Sequence, residues 1–151
     1  MIVGVAFDHA GYPLKQTIIE SIRQRGHEVV DFGTDSTESV DYPDFAEKLG
    51  RGIQRGEVER GVLVCGSGVG AAIAATKLDG VRAGLCHDTY SAHQGVEHDD
   101  INILAIGARI IGPALADELV GAFLSADFTA EERHLRRLGK VNALEDNSAP
   151  Q

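Results

Sequence analysis

The chain has 151 residues, of which 43% are hydrophobic and 25% charged, and its formal net charge is −9 with a pI near 5.0. A chain of this length buries roughly two thirds of the surface that it exposes when unfolded, so we expect one domain spanning residues 1–151. The negative charge argues against nucleic acid as a partner, and no apolar run approaches the ~20 residues that cross a bilayer.

The N-terminus and the cysteines indicate the cellular compartment. Met1 leads directly into an apolar segment without a basic region or a cleavage site, so a secretory signal is not expected. Cys65 and Cys86 each end an apolar strand pattern, which favours free thiols in a reducing compartment over a disulfide. We therefore expect a cytoplasmic protein without a membrane partner.

Strand-like apolar segments alternate with helical patterns along the chain. The strand-like segments are Ile2–Phe7, Glu28–Phe32, Gly61–Cys65, Val81–Cys86 and Ile103–Ile106. Apolar residues at helical spacing follow each of them, and these patterns are marked in turn by Leu14, Ile18 and Ile22, by Phe45, Leu49 and Ile53, by Ala71–Leu78, by Tyr90–Val96, and by Leu115, Leu119 and Phe123.

This alternation predicts a three-layer αβα fold with a doubly wound, five-stranded parallel sheet of the Rossmann or flavodoxin-like type, because strands that are apolar throughout must be covered on both faces. We expect the strand order 2-1-3-4-5, which places ligands at the carboxyl ends of the first and third strands. The polar segment at about 128–151 has only a thin apolar stripe of Leu135, Leu138, Val141 and Leu144, and predicts a helical tail that docks on a partner subunit.

A glycine-rich loop follows the third strand, with the sequence Cys65-Gly66-Ser67-Gly68-Val69-Gly70. It leaves backbone N–H groups free at the start of the next helix, which predicts an anion or oxyanion cradle. The alternatives are a tight turn and a nicotinamide or flavin site, since Gly66-x-Gly68-x-x-Ala71 fits the relaxed dinucleotide fingerprint. The fingerprint is disfavoured because it falls on the third βα unit, and a P-loop is excluded because no Gly-Lys-Ser/Thr follows.

Cys65 lies where the third strand meets this loop. Its sulfur is expected to face the cradle, where the helix dipole and nearby amides would hold it as a thiolate and make it a usable base. A cysteine at a strand end without such a loop is more often a small buried apolar residue. That is the interpretation of Cys86.

The run Glu97-His98-Asp99-Asp100 gathers an imidazole and three carboxylates before the fifth strand. We expect it on the carboxyl-end side of the sheet, as an acid–base site around His98 or as a solvated loop. A metal site is disfavoured because no other ligand group has a recognisable metal spacing.

Basic residues cluster near the C-terminus of this acidic chain. Arg109 follows the fifth strand, and Arg133, His134 and Arg137 lie within about one helical turn of each other. Guanidinium groups are preferred partners of phosphate. The alternative is that they pair with neighbouring carboxylates such as Glu131 and Glu132.

Six separated motifs carry a family resemblance. They are Asp8-His9-Ala10-Gly11, Asp41-Tyr42-Pro43, the glycine loop, Tyr90-Ser91-Ala92, His98-x-x-x-Asn102 and Arg133-His134. Together they resemble the ribose-5-phosphate isomerase B family and its relatives that act on galactose 6-phosphate or allose 6-phosphate, from Ile2 to about Val141. The resemblance implies an aldose–ketose isomerase that works through a cis-enediolate without metal or cofactor, in a homodimer or dimer of dimers whose sites form between subunits. Its substrate would be ribose 5-phosphate or a related sugar phosphate, and a non-catalytic sugar-phosphate sensor on this fold is a further alternative.

The resemblance also implies roles for individual residues. Cys65 would be the base that moves a proton between C1 and C2, Ser67 would assist proton movement at the sugar oxygens, and His98 would open the furanose ring as general acid. The implied substrate-binding residues are Asp8, His9, Tyr42, Gly66, Gly68, Val69, Gly70, Asp99, Arg109, Arg133, His134 and Arg137. Within this set, amides of the glycine loop would stabilise the enediolate oxygen, and the basic residues would hold the phosphate, some of them from the partner subunit.

Two positions differ among members of the family. Some relatives have a glutamate base directly after the glycines, where this chain has Ala71, which leaves Cys65 as the base. The family usually has Asn after the catalytic histidine, whereas this chain has Asp99. A carboxylate cannot donate the hydrogen bond that an amide gives to a sugar oxygen, but it can accept from hydroxyls or favour a protonated His98. Asp99 therefore leaves the sugar preference open.

Overall fold

Strands and helices alternate as the apolar pattern predicts, and the computed structural model describes residues 1–146. The strands are β1 Ile2–Phe7, β2 Glu28–Asp31, β3 Arg60–Cys65, β4 Ala83–Leu85 and β5 Ile103–Gly107. The helices are α1 Lys15–Gln24, α2 Tyr42–Gln54, α3 Val69–Ala75, α4 Thr89–Asp99, α5 Pro113–Ser125 and α6 Glu132–Asn142, and a short 3-10 helix spans Tyr12–Leu14. The last part of the predicted tail, 147–151, lies outside the described residues.

All strand pairs in the sheet are parallel, and both faces are covered by helices, which confirms the predicted three-layer architecture. One face packs against α1, α4 and α5 around Ile18, Leu104 and Phe123. The other face packs against α2 and α3 around Leu49 and Leu63. The buried positions of α1 and α2 recur at the helical spacing seen in the sequence.

The strand order is β2-β1-β3-β5-β4, so the expectation that the fourth strand lies beside the third is wrong. The reason is burial, because every residue of β5 is buried and needs a neighbour on both sides, whereas β4 has three residues and none is fully buried. A short, half-exposed strand suits the edge of a sheet. The observed strand order places the end of β5 directly beside the end of β3, with Gly107 opposite Cys65.

The predicted C-terminal helix is present as α6, which lies against α4. His134 is its one buried residue, while Leu135, Val141 and the following Leu144 are exposed. Docking of this helix on a partner subunit stays a prediction. No helix within residues 1–146 has the length and apolar character that crossing a membrane requires.

Candidate active site

A cavity of about 380 Å³ opens at the carboxyl end of β1 and β3, where the predicted topology places a ligand. It is lined by Asp8, His9, Ala10, Tyr42, Cys65, Gly66, Ser67, Gly70, Arg109 and Ile110. Parallel strands bring the loops that follow them to one edge of the sheet. The structure therefore brings together the Asp8–His9 motif, the glycine loop and Arg109, which are far apart in sequence.

The sulfur of Cys65 lies at the floor of the glycine loop. Cys65 is 5% exposed, and its Sγ accepts the backbone N–H of Gly68 at 3.0 Å. Gly68 has φ +79°, and a Cβ there would lie 2.6 Å from Leu85 Cδ1. Only glycine adopts that turn without strain. This amide hydrogen bond holds the Cys65 sulfur at the floor of the loop, on the cavity side of the turn.

The other amides of the loop are available to a ligand. The N–H of Val69 donates to Ser67 Oγ at 3.2 Å. The N–H groups of Gly66, Ser67 and Gly70 donate to no acceptor within the described part of the chain, and all three residues line the cavity. Unused backbone donors at one edge of a cavity form a cradle for an oxyanion.

Asp8 and His9 form the opposite wall of the cavity. Asp8 is 5% exposed, and its carboxylate accepts the N–H of Gly11 at 2.8 Å. The Nδ1 of His9 accepts the N–H of Val40 at 3.2 Å. A neutral His9 with this bond carries its proton on Nε2, so the ring can donate a hydrogen bond from that nitrogen.

Tyr42 and Arg109 flank the glycine loop. Tyr42 begins α2, and a Cβ on Gly70 would lie 2.6 Å from its Cζ, so the phenol ring and the loop are in close contact. The backbone N–H of Arg109 donates to the carbonyl of Gly66 at 3.0 Å. The Arg109 guanidinium is exposed and forms no ion pair with any of residues 1–146, which leaves a cation at the cavity for an anionic group.

His98 and Asp99 do not line this cavity, and the expectation that their run lies at the carboxyl edge of the sheet is wrong. Helix α4 runs from Thr89 to Asp99, three residues beyond the apolar pattern that predicted it, because Asp88 caps its start and Asp100 ends it in the left-handed region. Since α4 returns from the end of β4 to the start of β5, its last turn lies at the amino edge. Asp99 borders a separate groove beside Leu138 and Val141 of α6.

A second cluster forms around His98, where α6 crosses α4. The rings of His98 and His134 stack with centroids 4.1 Å apart and an interplanar angle of 26°. Gln94 Nε2 lies 2.8 Å from His98 Nδ1, and Thr129 Oγ1 lies 2.5 Å from His134 Nδ1. Burial, the adjacent imidazole of His98 and the charge of Arg133 lower the pKa of His134, which favours the neutral form of its ring.

The basic residues of α6 have different surroundings. Arg133 pairs with Glu131 at 3.1 Å, as the alternative interpretation of the cluster predicts. Arg137 is exposed and has no ion-pair partner in the described chain. His134 is 1% exposed, and its Nε2 has no hydrogen-bond partner among residues 1–146. No group of three or more His, Cys, Asp and Glu side chains within these residues is placed to hold a metal ion.

Cys86 behaves as the buried thiol that the sequence predicts. It is 6% exposed and packs in the core, and neither cysteine forms a disulfide. Burial, with a contribution from Asp88, raises the pKa of the Cys86 thiol to about 11. Cys86 therefore stays protonated near neutral pH, unlike a residue suited to act as a base.

The sequence did not single out two residues at this edge of the sheet. Ile110 lines the cavity beside Arg109 and is 59% exposed. His87 follows β4, and its Nε2 accepts the N–H of Gly107 at 2.9 Å. The available signal for both was their position within three residues of the end of a strand, since such positions meet at the carboxyl edge.

The comparisons with known proteins agree with this geometry. The family model described as Ribose/Galactose Isomerase matches residues 3–141. The ribose-5-phosphate isomerase B of Escherichia coli is 43% identical over 138 residues, which cover 91% of this chain and 92% of that one. The D-erythrulose-4-phosphate isomerase of Pectobacterium atrosepticum is 43% identical over 127 residues, which cover 83% and 84%.

A solved structure extends the likeness to three dimensions. The structure of the Clostridium thermocellum ribose-5-phosphate isomerase B superposes with a TM-score of 0.95 at 44% identity, and the match covers 99% of this chain and 100% of that one. The region 3–141 that the family model matches includes the cavity residues, the glycine loop and α6 up to Val141. The chain belongs to the ribose/galactose isomerase family.

Proposed function

We propose that this protein interconverts ribose 5-phosphate and ribulose 5-phosphate, with Cys65 as the base. The observation that carries the proposal is the hydrogen bond from the Gly68 N–H to the Cys65 sulfur at the floor of a cavity with unused amides. Isomerisation next to a carbonyl needs a base, donors for the developing oxyanion and an anchor for the rest of the substrate. Cys65, the glycine-loop amides and Arg109 supply these parts in this chain.

The chemistry moves one proton between two carbons. Cys65 removes the proton from C2 of the open-chain aldose, and the electron pair passes to the carbonyl oxygen on C1 to give a cis-enediolate. The free amides of Gly66, Ser67 and Gly70 stabilise that oxygen. Ser67 assists proton movement from O2 to O1, and Cys65 returns its proton to C1, which completes the ketose without an oxidant.

The same proposal includes a homodimer in which the second cluster completes the cavity. One chain places His98 at the amino edge of the sheet and Cys65 at the carboxyl edge, so His98 of one subunit would serve as ring-opening acid for the other. Arg133 and Arg137 would add phosphate contacts to Arg109 in the same way. Exposed apolar side chains support a subunit interface, because Val69 and Ile73 of α3, which follows the glycine loop, and Tyr90 of α4 are exposed.

The cellular location belongs to the proposal as well. Cys65 and Cys86 are both free thiols, and a thiolate base needs a reducing compartment to stay active. A cytoplasmic location satisfies that condition.

The direct test is turnover by chelator-treated protein of ribose 5-phosphate, with allose 6-phosphate, D-erythrulose 4-phosphate and unphosphorylated ribose in parallel. We expect ketose formation from ribose 5-phosphate and none from ribose. Cys65→Ser should abolish turnover while ribose 5-phosphate still binds, since the hydroxyl is not a base near neutral pH. Cys86→Ser is the matched control and should keep near-wild-type turnover, because Cys86 lies in the core. Wild-type turnover by Cys65→Ser would remove Cys65 from the mechanism.

A further inference from the structure

A histidine that the proposed mechanism does not use lies beside the glycine loop. His87 follows the edge strand β4, and its half-buried ring accepts the N–H of Gly107 at 2.9 Å through Nε2. The backbone ladder between β4 and β5 ends just before this contact, with the N–H of Cys86 on the carbonyl of Ala105. The imidazole therefore takes the place of a strand carbonyl and extends the sheet by one bond at the site.

Gly107 is the backbone on which the glycine loop rests. It lies opposite Cys65 in the β3–β5 register. A Cβ on Gly107 would lie 2.6 Å from the carbonyl carbon and oxygen of Ser67, and one on Gly68 would lie 3.1 Å from the Gly107 nitrogen. Because neither glycine has room for a Cβ, the two backbone segments are closely packed, and a displacement of Gly107 would move the Ser67–Gly68 peptide.

The same peptide carries the donor that faces the sulfur. The N–H of Gly68 donates to Cys65 Sγ at 3.0 Å. Three successive contacts thus join the His87 ring to the Cys65 sulfur, through Gly107 and the Ser67–Gly68 peptide. The ring can accept the Gly107 N–H only with a lone pair on Nε2, which requires a neutral imidazole with its proton on Nδ1.

We propose that His87 is a positioning residue for Cys65. The His87 ring holds the Gly107 backbone so that the Gly68 N–H stays directed at the Cys65 sulfur. The inference rests on the proposed role of Cys65 as base. His87 is not placed among the cavity-lining residues and needs no contact with substrate. Its effect should therefore fall on the chemical step and on thiol reactivity, and only weakly on substrate affinity.

The test compares two replacements of His87. His87→Leu removes the acceptor and keeps an apolar side chain, whereas His87→Gln places an amide oxygen where it can accept the Gly107 N–H. His27→Leu is the matched control, because His27 also makes a single backbone contact, to the N-terminal amine, at the amino edge of the sheet. Reactivity of Cys65 toward iodoacetamide is followed by mass spectrometry, since trypsin releases Cys65 and Cys86 on separate peptides, 61–77 and 83–109.

In His87→Leu we expect the alkylation rate of Cys65 to fall about tenfold, as loss of one charge-assisted hydrogen bond implies. We expect kcat for ribose 5-phosphate to fall about tenfold or more, as misplacement of a catalytic group implies, with KM within about threefold of wild type. His87→Gln should restore both rates to within about threefold, and His27→Leu should change neither.

Wild-type alkylation and kcat in a folded His87→Leu variant would overturn the inference, even if its thermal midpoint falls, because the ring would then serve stability alone. His87→Phe, which keeps a planar ring but has no lone pair to accept the Gly107 N–H, gives the same comparison if His87→Leu does not fold. Alkylation needs no substrate, so the two proposals can fail separately. If the wild type turns over no sugar phosphate but the alkylation rates differ as expected, the proposed function fails and the effect of His87 on the Cys65 sulfur stands.

Discussion

The separation of Cys65 from His98 predicts that two different inactive subunits restore activity when they pair. Cys65→Ser removes the base, and His98→Asn removes the ring-opening acid while keeping an oxygen near Nδ1 that can accept from Gln94. In a heterodimer of these variants, one site has both defects and the other has an intact Cys65 from one subunit and an intact His98 from the other. With one of the two symmetry-related sites intact, we expect about half of the wild-type kcat per dimer.

The assay uses subunits with two different affinity tags, co-expressed and purified through both tags, so that only heterodimers are measured by ketose formation. Each homodimer of a single variant should be inactive. The informative control pairs the double variant Cys65→Ser/His98→Asn with a wild-type subunit. If the site is shared, both sites of that heterodimer are defective and it is inactive. If each chain uses its own His98, it retains about half of the wild-type rate, which would refute the shared site, as would a protein that stays monomeric.

Two further predictions concern stability. Gly68→Ala should lower the free energy of unfolding by about 1–3 kcal/mol, because a left-handed backbone is strained for alanine and its Cβ would lie 2.6 Å from Leu85 Cδ1. The control is Gly56→Ala, where φ is similar at +70° but the space around the Cβ is open. If Gly56→Ala lowers the free energy of unfolding, measured in urea, as much as Gly68→Ala does, the contact with Leu85 has no role in the loss. The lowered pKa of His134 means that the unfolded chain binds the proton more tightly than the folded one. The contribution of His134 to the free energy of unfolding is therefore complete above its unfolded pKa, and it is lost as the pH falls through the lower folded pKa. The free energy of unfolding of the wild type should therefore decrease more than that of His134→Gln between neutral pH and mildly acidic pH, and equal slopes for the two proteins would refute the assignment.

The sequence alone determined the layers of the fold and most of the residues that line the cavity. Alternating apolar strands and amphipathic helices can be buried only by covering a parallel sheet on both faces, so the architecture follows from local pattern. The cavity at the ends of β1 and β3 follows from the winding of such a sheet, and it brings together Asp8, His9, Cys65 and Ser67 as expected.

Only the tertiary structure decided the order of the last two strands and the place of His98. Strand order depends on which strand can be buried on both sides, and the weak apolar pattern of β4 became decisive only in competition with β5. The position of His98 depends on the length and direction of α4, whose last turn is polar and carries no periodic signal. The contact of His87 with Gly107 also depends on the strand order, because it arises where the edge strand β4 ends beside β5.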